Sequence, residues 1–324
     1  CAKHKKVTKS KVLICHDMKG GYLDDRFVNG SDNANAYRFY QWPLIDLFVY
    51  FSHHFVTIPP STWINAAHKN GVQILGTIIT EEWAETGEII EIFENAQDLT
   101  LLDQVAKKLV DVAMQYQFDG WLINIESKLK PFATVRLVEF LNLLTEYTHQ
   151  YIQNGIVIWY DSVIHPSGQL KWQNELNSLN KCFFDVCDGI FLNYTWKPEN
   201  LADSRELALK NDRIYDVYVG VDVFGRGSFG GGGFKTYLAI EEIRKHDLSV
   251  ALFAPGWTYE ANNINYFDQN ERIFWKSLKL RVSHVPTQLP LITSFCQGFG
   301  KKLFKNGKVI NDKPWFNLNK QQIN

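Results

Sequence analysis

A charge imbalance is what this chain most plainly lacks. Its 324 residues carry 34 Lys and Arg against 35 Asp and Glu, a formal net charge of −1. That balance argues against nucleic acid or a membrane surface as partner. The basic residues Lys3, His4, Lys5, Lys6, Lys9 and Lys11 read as a solvated arm over residues 1–11. No apolar run is long enough to span a bilayer, and no signal peptide is visible. Because the chain opens on Cys1 and not on Met, it is expected to lack its true N-terminus. Cysteine is scarce and odd in number, with Cys1, Cys15, Cys182, Cys187 and Cys296 fitting no zinc template. Free thiols in a large domain point to a reducing compartment, the cytosol. His53 and His54 are adjacent and would face opposite sides of a strand, and no three-His set accompanies them. No metal or other cofactor is expected.

What is abundant is apolar and aromatic. Apolar residues make up 45% of the chain and aromatics 14%, with ten Trp, enough for a sizeable core and for aromatic faces that stack on sugar rings. Eight β-branched or aromatic runs recur: Val12–Asp17, Ile45–Ser52, Gln73–Thr80, Phe118–Glu126, Ile156–Asp161, Gly189–Tyr194, Val217–Asp222 and Ser249–Ala254. Each is strand-long and apolar on both faces, as parallel strands require. Amphipathic patterns between or after them predict helices over Thr62–Lys69, Asp98–Tyr116, Pro131–Ile152, Tyr237–Lys245 and Asp268–Leu280. The rhythm is that of an α/β (β/α)8 TIM barrel over residues 12–281. A doubly wound sheet would want a Gly-rich phosphate turn after its first strand, and Asp17-Met18-Lys19-Gly20-Gly21-Tyr22 is not one. Residues 282–324 read as an extension that closes the barrel or leads to a further domain. The run Arg226–Phe234, with four consecutive Gly, reads as a mobile flap or a close backbone approach to ligand.

Barrel enzymes react at the C-terminal ends of their strands. Those ends carry Asp17; His53 and His54; Glu81, Glu82 and Trp83; Asn124 and Glu126; Tyr160 and Asp161; Asn193 and Trp196; Asp222; and Trp257 with Glu260. Strand ends are polar by default, but acids, amides, His and Trp at all eight describe a carbohydrate cleft. Asp161 follows Tyr160 and should face away from the barrel axis. Serine-hydrolase chemistry finds no Gly-x-Ser-x-Gly elbow.

The most informative end is Trp121-Leu122-Ile123-Asn124-Ile125-Glu126. Leu122, Asn124 and Glu126 share one face, setting an amide and a carboxyl side by side, about 7 Å apart by strand rise. Glycoside hydrolysis usually takes two carboxylates, and an amide cannot attack. One carboxyl suffices when the substrate supplies the nucleophile. The acetamido oxygen of an N-acetylglucosamine then attacks its own anomeric carbon to form an oxazoline. Asn124 would accept the acetamido N–H. Glu126 would protonate the leaving oxygen and afterwards deprotonate water, giving retention. The bland alternatives are a buried, ion-paired Glu126 and an Asn124 satisfied within the barrel.

At His16–Phe27, Phe48–His54, Phe118–Glu126, Trp159–Ser162, Trp172–Asn177 and Ala254–Trp257 the chain resembles the endo-β-N-acetylglucosaminidases of glycoside hydrolase family 85, in register from about residue 12 to 317. The resemblance implies a (β/α)8 catalytic domain that cuts the N,N'-diacetylchitobiose core of N-glycans and leaves one N-acetylglucosamine on the protein. It also implies transglycosylation, an alcohol replacing water. It places the acid/base on Glu126, the orienting amide on Asn124, an assisting tyrosine on Tyr160, and aromatic cleft walls on Trp172 and Trp196. His53, Trp83, Asn193, Asp222 and Trp257 are further candidates for sugar contact. Expected partners are therefore N-glycans or glycoproteins. The competing readings are a chitinase-like hydrolase, which would usually carry Asp at position 124, and a barrel lectin that binds without cutting. Glycan preference and oligomeric state are not written in these motifs.

Overall fold

The computed structural model describes residues 9–17, 23–81, 88–94, 99–284, 290 and 292–323. Trp83, Glu82, Met18–Tyr22 and most of the basic arm lie outside the described residues. Eight parallel strands form the barrel: β1 Val12–Asp17, β2 Leu47–Phe51, β3 Gln73–Glu81, β4 Gly120–Glu126, β5 Ile156–Tyr160, β6 Gly189–Leu192, β7 Val217–Asp222 and β8 Ser249–Phe253. Each pairs with the next in chain order, β8 pairs back onto β1, and the ring is closed. A two-residue strand, Val56–Thr57, adds an antiparallel pairing on β3. The barrel expected from the rhythm of apolar runs is the fold observed.

Strand alternation sorts the core into two layers. Leu13, Cys15, Leu47, Val49, Leu75, Leu122, Ile158 and Tyr218 point inward and fill the barrel. Trp121, Ile123, Ile125, Val157, Trp159 and Val219 point outward against the helices. On β4 this puts Asn124 and Glu126 on the inward face, at the C-terminal rim. Gly120 opens that strand at φ +141°, where a Cβ would stand 1.9 Å from the Ile156 carbonyl oxygen. Only glycine lets β4 lie this close to β5.

The outer layer runs α1 Ser61–Lys69, α2 Glu88–Glu94, α3 Leu99–Tyr116, α4 Ala133–Tyr151, α5 Lys181–Val186, α6 Pro198–Lys210, α7 Thr236–Arg244, α8 Trp257–Glu260 and α9 Phe267–Ser277. Between β1 and β2 the described residues form two short 3-10 turns, Leu23–Arg26 and Trp42–Leu44, and no α-helix. Here Tyr37, Phe39 and Trp42 cover the barrel, joined by Phe316 and Leu318 from the C-terminal extension. Gln321 ties the two segments together, accepting from Trp42 Nε1 at 3.0 Å and donating to the Phe39 carbonyl at 2.8 Å. The extension thus does at this quadrant what a helix does elsewhere.

The Gly-rich segment is ordered as two 3-10 turns, Phe229–Gly231 and Gly233–Lys235. A Cβ on Gly232 would meet the Gly225 backbone at 2.5 Å. The close approach anticipated there is to the chain's own backbone.

Candidate active site

At the C-terminal rim a cavity of about 280 Å³ is lined by Cys15, Asp17, Phe51, His53, Glu81, Leu122, Asn124, Glu126, Tyr160, Trp172, Phe191, Tyr194, Arg226 and Phe253. Its floor is the inward layer of the barrel, so the strand residues among those lining it are aimed by strand alternation, while His53, Trp172, Tyr194 and Arg226 come from the loops that follow. A larger cavity of about 500 Å³ lies between α9 and the loop before β2, lined by Tyr40, Arg272, Trp275 and Lys276 among others. It holds no strand-end acid, and the chemistry belongs to the smaller one.

Glu126 stands in that cavity with Trp172 Nε1 donating to its Oε1 at 3.1 Å. Burial pushes its pKa up, opposed by the Trp172 hydrogen bond, reinforced by the nearby Glu81 charge, and opposed again by an Asn124 hydrogen bond and by His53. A carboxyl whose ionisation is disfavoured in this way is suited to donate a proton. Since the Asn124 amide nitrogen donates to Glu126, its oxygen turns elsewhere. That Asn124 Oδ1 is buried and has no hydrogen-bond partner among the described residues. A buried acceptor left open costs about 1–3 kcal/mol, a cost that a ligand N–H would remove.

Glu81, one of the strand-end acids but not among the candidates for catalysis or sugar contact, occupies the position on β3 directly paired with Glu126 on β4. His53 Nδ1 lies 3.0 and 3.1 Å from its two carboxylate oxygens. The available signal was register, which a single sequence does not carry. Two carboxylates on facing positions of neighbouring strands, with one of them paired to a histidine, raise the cost of ionising the other.

Across the cavity, Tyr160 donates its hydroxyl to Asn193 Oδ1 at 2.8 Å. Asp161 faces outward as expected and is buried. It accepts from the Gln173 and Asn174 backbone N–H groups at 3.0 and 2.7 Å and from Asn180 Nδ2 at 3.1 Å. Burial raises its pKa to about 6 against the lowering effect of these donors. This carboxylate fastens the loop that brings Trp172 onto Glu126.

Of the candidates for sugar contact, His53 and Trp172 line the cavity, and four others do not. Trp196 is 3% exposed, stacks on Phe229 and donates to the Gly220 carbonyl at 2.7 Å. It closes the loop core and not the cleft wall. Asp222 is fully buried and binds Arg226 through Nε at 2.8 Å and Nη2 at 3.1 Å. It is Arg226, held by Asp222, that reaches the cavity. Asn193 sits behind Tyr160, and Trp257 packs edge-on to Phe234 at 5.0 Å. Trp83 lies outside the described residues. The aromatic wall is built instead from Phe51, Tyr194 and Phe253, with Phe253 stacked on Tyr194 at 6.0 Å and edge-on to Phe51 at 5.6 Å. Strand parity could have found Phe51 and Phe253, since both sit inward at a strand end. Among the described residues, no three His, Cys, Asp or Glu side chains converge as metal ligands would.

The profile of glycosyl hydrolase family 85 matches residues 22–303. The chain belongs to that family. Among curated relatives of this family 85 barrel, the cytosolic endo-beta-N-acetylglucosaminidases of Gallus gallus and Homo sapiens are each 50% identical over 97% of this chain, covering 43% and 42% of their own length. An Arabidopsis thaliana protein, cytosolic endo-beta-N-acetylglucosaminidase 2, is 43% identical over 97% of the chain and 44% of its own. The family 85 barrel therefore spans less than half the length of the curated relatives it matches. Among solved structures, the glycoside hydrolase domain of Endo-D from Streptococcus pneumoniae R6 superposes with a TM-score of 0.77 at 25% identity, over 99% of this chain and 54% of that one. An endo-beta-N-acetylglucosaminidase from Cordyceps militaris, at 11% identity, a TM-score of 0.55 and coverage of 85% of this chain and 92% of that one, shares the fold.

Proposed function

We propose that this chain is the catalytic barrel of an endo-β-N-acetylglucosaminidase acting in the cytosol on N-glycans, free or protein-linked. The bond cleaved is the β-1,4 link of the N,N'-diacetylchitobiose core. The observation that carries the reading is the open Asn124 Oδ1 beside a Glu126 whose ionisation is disfavoured. The substrate's acetamido N–H bonds to Asn124 Oδ1, which turns the acetamido oxygen toward the anomeric carbon. Glu126 gives its proton to the leaving glycosidic oxygen as the acetamido oxygen attacks the anomeric carbon, the glycosidic bond breaks and the oxazoline forms as its N-protonated oxazolinium ion. Glu126, now a carboxylate steadied by Trp172, takes a proton from water as water opens the oxazoline with retention. An alcohol in place of water gives transglycosylation.

The names of the relatives, including their compartment, support this reading. So do the thiols of Cys15, Cys182, Cys187 and Cys296, all free. No described helix is long and apolar enough to cross a membrane. Incubation with a defined glycopeptide followed by mass spectrometry tests the proposal. The expected product keeps one N-acetylglucosamine on the peptide; an untouched glycopeptide, or a peptide stripped to bare Asn, would overturn it.

A further inference from the structure

The direction of the Tyr160 hydroxyl proton can be deduced from a backbone group. The Thr195 backbone N–H contacts one side-chain atom of Asn174 at 3.1 Å. A backbone N–H can only donate, so that atom is Oδ1. The Asn193 side-chain atom 2.8 Å from Asn174 Oδ1 must then be its Nδ2. Its other atom is the carbonyl oxygen, which faces the Tyr160 hydroxyl at 2.8 Å. Both end atoms of Asn193 are thereby assigned, and Tyr160 is left as the donor. Upstream, the Asn174 backbone N–H is fixed on Asp161 Oδ2 at 2.7 Å, and the Thr195 hydroxyl adds a bond to Asn174 Oδ1 at 2.6 Å. Asn193 is 7% exposed, so water does not compete freely for it. The Asn193-Tyr194-Thr195 sequon is committed to this chain of bonds.

We propose that Asp161, Asn174 and Asn193 form a positioning chain that fixes the Tyr160 hydroxyl at the cavity wall through its bond to Asn193. This rests on the reading of the site given above. It has a chemical rationale there. The acetamido group must be held at the anomeric carbon, and a tyrosine fixed from outside the cavity gives that group a set place to bond. Burial and the Glu126 charge raise the phenol's pKa, so the proton stays on the oxygen throughout.

A double-mutant cycle tests this. Asn193→Ala should lower kcat on a defined glycopeptide by about tenfold in the native background and by less than about twofold in the Tyr160→Phe background, where no hydroxyl remains to be aimed. KM should move little in either. Thr195→Val, at an exposed position, gives the same pattern with a smaller loss and keeps the test open should Asn193→Ala not fold. Equal fractional losses in both backgrounds would overturn the positioning role and make these residues plain scaffolding. If the native chain releases no glycan, the functional reading itself fails; if it is active but the losses multiply independently, only the positioning chain fails.

Discussion

The two walls of the cavity are built to opposite rules. On the β5–β6 side the polar groups are partnered in series, from Asp161 through Asn174 and Asn193 to Tyr160. On the β3–β4 side the Asn124 oxygen is open and two carboxylates face each other across neighbouring strands. A saturated network is rigid, and a ligand gains little by breaking into it. An unsatisfied acceptor and a disfavoured charge are where a substrate can gain most. The difference assigns positioning to one wall and chemistry to the other.

The largest effect should come from the reactive wall. Glu126→Gln removes the group that gives a proton in the first step and takes one in the second, and glycopeptide hydrolysis should fall about a thousandfold or more, with thermal unfolding unchanged. Measurable turnover near the native rate would dissolve the distinction between the walls. The positioning wall should break differently. Asp161→Ala leaves the Gln173 and Asn174 N–H groups and the Asn180 amide without their acceptor, costing about 2–4 kcal/mol in denaturant unfolding. An unchanged midpoint would mean that the loop is held by something else.

Asp161 also sets a pH signature. Its folded pKa of about 6 lies above the usual 3.8, so the folded state holds the proton more tightly than the unfolded chain does. Stability from this group is present below about pH 4 and is lost as pH rises through about 6, by roughly 3 kcal/mol. The stability of the native chain relative to Asp161→Asn should fall over that window; a flat difference would place the carboxyl in a wetter setting. The smallest effects sharpen the reactive wall. Trp172→Phe removes a bond that favours ionised Glu126, and the alkaline limb of the kcat/KM profile should move to higher pH. Glu81→Gln removes a charge that disfavours ionisation, and the limb should move to lower pH. Shifts of the same sign would refute the electrostatic picture.

Much of this was legible in the sequence, and the parts that were not have physical reasons. All eight strands announce themselves, because burial on both faces demands unbroken apolar runs. Helix α3 carries a clear stripe. Helix α6 buries only Leu201, Ser204 and Ala208, too faint a pattern to stand out, and α5 has six residues. Asn124 and Glu126 could be placed by parity alone. Glu81 needed cross-strand register, and the burial of Trp196 and Asp222 needed tertiary packing, since a strand-end Trp or Asp reads the same whether it faces ligand or a neighbouring loop.

The central claim is that Asn124 aims the substrate's own acetamido group and does nothing else that is indispensable. It is tested most directly by giving one variant, Asn124→Ala, two substrates. The account predicts that glycopeptide hydrolysis falls about a hundredfold or more, while turnover of a preformed sugar oxazoline stays within about threefold of native. Parallel loss on both substrates would contradict it.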